Sequence, residues 1–171
     1  TPNAITGRTE FAATLATTNS MTEEAVGFVL NVTDVAGNTA AINQVTDGTS
    51  VTIDNTSPSV NYLRLSSSGA VNTYAKAGEV VTLDFQADEE LSSISTITIF
   101  GSAPDAAPTD LGNNIYRAQY TLQGTENNGS VPFALNFIDQ AGNTLAGNLN
   151  SLVDDPDGGI TYDDEAPTLD R

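Results

Sequence analysis

Apolar and polar residues alternate along much of this chain. Val26, Phe28, Leu30 and Val32 share one face of an extended run, with Gly27, Val29, Asn31 and Thr33 on the other. That period of two marks a half-buried strand. Val131, Phe133, Leu135 and Phe137 repeat the spacing, and Val81, Leu83, Phe85 and Ala87 place another strand over Glu79 to Ala87. Further strands are expected at Glu10 to Leu15, Val60 to Leu65, Ser95 to Phe100 and through Tyr116, Ala118, Tyr120 and Leu122, with closing strands at Ser50 to Ile53 and Gly159 to Tyr162. Residues 1–8, Ser66 to Gly69 and Gly101 to Gly112 read as loops, the last containing Pro104 and Pro108. No stretch carries a convincing helical period. Short strands separated by turn signals predict an all-β fold, an antiparallel β-sandwich.

The pattern is a tandem repeat. Val32-Thr33-Asp34-Val35-Ala36-Gly37-Asn38-Thr39 returns as Phe137-Ile138-Asp139-Gln140-Ala141-Gly142-Asn143-Thr144, each copy ending an alternating run. An acidic linker closing in proline follows each copy: Ile53-Asp54-Asn55-Thr56-Ser57-Pro58 and Tyr162-Asp163-Asp164-Glu165-Ala166-Pro167. This organisation predicts a complete repeat over 58–171, including a C-terminal linker. Residues 1–57 match only its second half, without counterparts of the strands at 60–65, 81–87 and 95–100. One face of that shorter piece is expected to be uncovered. Either upstream sequence has been cut away or another chain supplies the missing strands by strand addition.

Composition narrows the function. The chain has 22 Asp and Glu against 5 Lys and Arg, no histidine and a net charge of −17. A polyanion needs clustered basic residues to displace its counterions, so nucleic acid and anionic membrane surfaces are excluded as expected partners. No cysteine is present, so no disulfide can reinforce the core. Without His or Cys there is neither an imidazole base nor a thiol nucleophile, and acids spread over equivalent turns do not make a single glycosidase cleft. A non-enzymatic protein is expected. No apolar run is long enough to span a membrane, and the opening at Thr1 reads as an excised piece whose export signal or anchor would lie elsewhere.

The order Gly78-Glu79-Val80-Val81-Thr82-Leu83, Ala87-Asp88-Glu89-Glu90-Leu91, Thr96-Ile97-Thr98-Ile99, Tyr116-Arg117-Ala118-Gln119-Tyr120, Val131-Pro132-Phe133, Asp139-Gln140-Ala141-Gly142-Asn143 and Ala166-Pro167 resembles the bacterial Ig-like repeats of large surface proteins and adhesins. The resemblance covers essentially all of 58–169. It departs at Asp88-Glu89-Glu90, where such repeats usually carry Ser-Glu-Pro, and at Leu149 to Gly159, where their connection is shorter. It implies Ig-like sandwiches in tandem, the first copy incomplete, with neighbouring repeats as partners in the same chain or in another copy completing 1–57.

In an Ig-like sandwich the Asp139 turn, the loop after the second strand and the entering linker lie at one end. Asp139 and Asn143, Asp88 and Glu89, and Asp54, Asn55 and Thr56 would meet there. These are the oxygen donors calcium takes, about 6–8 at a time, and the resemblance likewise implies calcium at repeat junctions. Asp34 and Asn38 would form the equivalent site one repeat earlier, and Asp163 and Asp164 one repeat later. A second role is open: Asp34 and Asp139 can simply cap their own turns. Asp154 to Gly159 reads as a hairpin turn, because Pro156 interrupts the EF-hand pattern and no Glu closes it. The expected function is an extracellular spacer or stalk of a bacterial surface protein, stiffened by calcium. The alternatives are a filament subunit completed by strand exchange between chains, or a glycan-binding module using Tyr62, Tyr74, Tyr116, Tyr120 or Tyr162.

Overall fold

The computed structural model describes residues 3–5, 8–10 and 12–169, with side chains from residue 12 onward. It is all-β, with no helix among the described residues and hence none long and apolar enough to cross a membrane. The chain divides into two compact units, Thr1–Asn55 and Thr56–Arg171.

The second unit begins with β5 (Val60–Ser67), β6 (Tyr74–Ala75), β7 (Val80–Ala87) and β8 (Leu91–Ile99). It continues with β9 (Thr109–Gly112), β10 (Ile115–Thr121), β11 (Gly129–Ser130), β12 (Phe133–Asp139) and β13 (Thr161–Tyr162). One sheet runs β5-β7-β10-β9, a second pairs β12 with β8, and a small third runs β11-β13-β6. Side chains buried from the first two sheets interdigitate as in a β-sandwich. Leu63, Leu65, Val81, Leu83, Phe85 and Leu122 lie in the core with Ile99, Leu135 and Phe137. Phe85 stacks on Phe137 with ring centroids 5.6 Å apart and on Tyr116 at 5.3 Å. Each such burial is worth roughly 1.5–3 kcal/mol relative to exposure. The pattern read from the sequence is realised residue by residue: every second residue of β7 and of β12 is buried.

Several strand assignments change, each for a pairing reason. β5 runs on to Ser67, into the expected loop, because Ser66 opposes Thr82 and Ser67 opposes Val81. β8 begins at Leu91 instead of Ser95 because β12 offers its whole edge: Phe133 opposes Ile99, and Asp139 opposes Leu91. It ends before Phe100, which takes φ 52° in the tight turn where Ile99 and Ser102 exchange backbone hydrogen bonds. β9 lies inside the segment expected as loop; Asn113 and Asn114, both at positive φ, make the hairpin to β10. β6 is only two residues long and pairs parallel with β13, the one parallel pair among the described residues. The long connection after the Asp139 turn has a use of its own. Leu149 bridges to Leu135 and Val153 to Leu63, tying it to both main sheets.

The first unit holds two hairpins. β1 (Asn3–Ile5) pairs with β2 (Arg8–Glu10), and β3 (Leu30–Thr33) with β4 (Thr39–Ile42). The expected loop over 1–8 thus contains strand at 3–5 and at Arg8. Of the expected strand Glu10 to Leu15, Glu10 closes β2, Phe11 lies outside the described residues, and 12–15 have no regular structure. The alternating run 25–33 is interrupted because it changes partner. Ala25 bridges Thr52, Val26 gives its N–H to Val51 O at 2.8 Å, and only from Leu30 does the ladder to β4 begin. The second unit makes the same change: Ser130 opposes Thr161, Val131 N–H reaches Ile160 O, and then β12 turns to β8.

Candidate metal centre

Alternation along β12 puts Phe133, Leu135 and Phe137 inward, and the next residue in that phase is Asp139. Its side chain is therefore fully buried, the sole buried charged residue described. A carboxylate in that position has to be hydrogen-bonded, and the following four residues provide the donors. Oδ1 accepts the N–H groups of Gly142 at 2.7 Å and Asn143 at 2.8 Å, and Oδ2 accepts Asn143 Nδ2 at 2.8 Å. Gly142 takes φ 97° with open space where a Cβ would stand, so the turn needs glycine for its backbone angle and not for room. Burial alone would raise the Asp139 pKa. The Asn143 side chain and the N–H groups of Asn143, Gly142 and Ala141 outweigh it and hold the carboxyl below its ordinary value.

Asp34 builds the same turn. Its Oδ1 accepts Asn38 N–H and its Oδ2 Asn38 Nδ2, both at 2.8 Å, and Gly37 sits at φ 93°. Asp34 N–H reaches Asn38 O at 2.9 Å, as Asp139 N–H reaches Asn143 O at 3.0 Å. Asn38 holds the Asp34 carboxyl below its ordinary value too, although Asp34 is exposed. The capping role is thus present at both turns.

The other residues expected to bind metal divide between two tasks. Asp88 grips the incoming chain: its Oδ1 accepts Ser59 N–H at 2.8 Å, its Oδ2 pairs with Ser59 Oγ at 2.7 Å, and Pro58 just ahead is buried. Both Asp88 oxygens thus serve the clamp. Glu89, half-buried, brings a carboxylate oxygen within 4.8 Å of one on Asp139. Together they form an all-oxygen pair, which suits a hard cation such as calcium. Asp54 and Asn55 close the first unit. Asn55 gives its N–H to Glu23 Oε1 at 3.1 Å and its Nδ2 to Met21 O at 3.2 Å. Asp163 and Asp164 lie beyond β13, where Asp164 Oδ1 accepts Ala77 N–H at 3.2 Å.

The acids have a further use that composition does not disclose. Glu126 accepts the N–H groups of Gln123, Gly124 and Thr125 together with the Tyr120 hydroxyl. Asp105 fastens Thr121 through N–H and Oγ1, and Asp110 fastens Gly112 N–H. Loop carboxylates caught on backbone donors stand in for the regular ladder that the loops lack. The tyrosines considered as sugar platforms are mostly otherwise engaged: Tyr120 and Tyr162 are core, Tyr116 stacks on Phe85, and Arg64 covers Tyr62 at 4.7 Å.

Comparison with family models, with characterised proteins and with solved structures gives no match, so what the chain does has to be argued from its own residues.

Proposed function

We propose that this chain is a structural segment of tandem Ig-like repeats from an extracellular bacterial surface protein, a spacer that carries other domains outward and is stiffened by calcium between repeats. The observation that supports it best is the Asp-x-Ala-Gly-Asn turn, built twice with the same asparagine-to-aspartate hydrogen bonds at the end of the same alternating run. A unit that recurs with its turn chemistry intact suits mechanical repetition, whereas a catalyst needs a unique cleft. For calcium, the support is the all-oxygen pair that Glu89 and Asp139 form. Asp54 is the third ligand in this proposal. It stands two residues before Thr56, a stretch of at most about 7 Å, and the chain from Pro58 is held against the Asp88-Glu89 loop. When bound, the cation neutralises these carboxylates and joins the linker to the loop; the chain's own residues orient the ligands through the Asp139 turn and the Asp88 clamp.

Thermal unfolding in calcium and in chelator tests the metal. A ligand that binds only the folded state raises the melting temperature by mass action. Calcium is expected to raise it in the wild type and to lose that effect in Glu89→Gln and Asp54→Asn, neither of which is a partner in the bonds from Gly142 and Asn143 to Asp139. Equal melting in calcium and chelator would remove the metal from the proposal. Stiffening has its own readout: the chain has no cysteine, so spin labels on Val35→Cys and Thr125→Cys report one distance distribution. Calcium should narrow it; an unchanged width rejects stiffening.

A further inference from the structure

We infer that the second unit carries a shallow site for a neutral carbohydrate, in which one pyranose ring lies against Tyr74. The site uses none of the acids of the candidate metal centre. Of the five tyrosines only Tyr74 is exposed, at 57%. A lone exposed ring needs no explanation, but this one borders a cavity of about 310 Å³. The lining combines the buried Leu65, Phe133 and Ile160 with the polar Thr73, Asp157 and Thr161. A few polar groups converging on an apolar lining are the make-up of a small-molecule site.

Backbone and side-chain bonds hold this lining in place. Thr161 N–H reaches Thr73 O at 2.9 Å where β13 pairs with β6, so Tyr74 stands on a paired strand. Asn72 Nδ2 reaches Asp157 Oδ2 at 2.8 Å, which fastens the 157–159 loop to the turn before β6 and leaves Oδ1 as an acceptor. Gly158 and Gly159, at φ 72° and 96°, bring backbone without side chains to the cavity. Little ordering is left for a ligand to impose.

The lining selects the class of ligand. A pyranose has an apolar face of C–H groups and a rim of hydroxyls; the face suits the Tyr74 ring, and the rim suits the threonine hydroxyls and the stronger Asp157 acceptor. Among the described residues no lysine or arginine lines the cavity. With a net charge of −17 on the chain, anionic sugars are repelled. A cation would suit the charge, but hydroxyls outnumber the one carboxylate here and a single ring is no aromatic cage.

Maltohexaose, cellohexaose and chitohexaose are each titrated into the chain in chelator, so that calcium plays no part, and amide shifts are read by NMR. At least one is expected to give saturable shifts at Thr73, Tyr74 and Gly158. Its affinity should fall roughly tenfold in Tyr74→Leu, and to a similar extent in Asp157→Asn, whose amide oxygen still holds Asn72. No saturable shift from any of the three at tens of millimolar would overturn the inference. So would equal shifts from sorbitol, which has the hydroxyls without the ring, or undiminished binding in Tyr74→Leu. Tighter binding of choline than of any sugar would replace the carbohydrate by a cation.

Discussion

The two units contain the same strand and turn in different surroundings. In the second, Val131, Phe133, Leu135 and Phe137 are buried; in the first, Phe28, Leu30 and Val32 stand in solvent. The turns that follow share the backbone and side-chain hydrogen bonds from asparagine to aspartate. Local sequence therefore suffices for the turn. Burial is conferred from outside, by the sheet of β5, β7 and β10, for which the first unit has no counterpart among the described residues.

The largest test of this contrast deletes one ring of the alternating run from each unit. Phe137→Ala should cost roughly 3–5 kcal/mol, through lost transfer energy and the cavity left against Phe85. Phe28→Ala should cost less than about 1 kcal/mol, as at an exposed site. Urea unfolding followed by tyrosine fluorescence reads the second unit alone, because all five tyrosines lie there and the chain has no tryptophan. Amide exchange reads the first. Comparable losses would mean that something covers Phe28 in solution.

Next comes the aspartate pair. Asp139→Ala removes three hydrogen bonds to a buried carboxylate and leaves two backbone N–H groups behind, a loss of about 3 kcal/mol. Asp34→Ala exposes its donors to water, which replaces the carboxylate. Its effect is confined to faster exchange at Asn38 N–H, and a shift in the unfolding midpoint would contradict the comparison.

Acid should separate the units more gently. The Asp139 carboxyl is held down by its turn, and that of Glu126 by the N–H groups of Gln123 and Thr125 and by Tyr120 against the opposing effect of burial. A carboxyl with a lowered folded-state pKa stabilises the fold above its unfolded pKa, about 4, and that contribution fades as pH falls through the folded value. The second unit should therefore melt progressively lower as pH is taken from 5 to 2. Glu126→Gln should flatten this profile, and an unchanged slope would place the titration elsewhere.

The smallest expected effect lies in the core that the first unit lacks. The Tyr162 hydroxyl is buried without a hydrogen-bond partner among the described residues, while its ring meets Phe100 edge-on at 5.8 Å. Tyr162→Phe keeps the ring and drops the unsatisfied group, so it should raise stability by about 1 kcal/mol. A loss on denaturant titration would reveal a water or side chain bound to that oxygen.

The sequence by itself determined the all-β class, the core-facing phase of β7 and β12, and the two turns, because alternation and turn chemistry act over a few neighbouring residues. It also supplied the types of residue at the candidate centre, since Asp139 falls in phase with Phe137. Only tertiary structure decided which copy of an identical pattern is buried and where β8 starts. Tertiary structure also made the two-residue β6 a strand, and set Glu89 beside Asp139 while both oxygens of Asp88 went to Ser59. Each of these depends on a partner distant in the chain: a facing sheet that excludes water, an edge with unpaired amides, or a linker passing the loop. A local pattern specifies what a segment can pair with, and burial depends on what arrives to cover it.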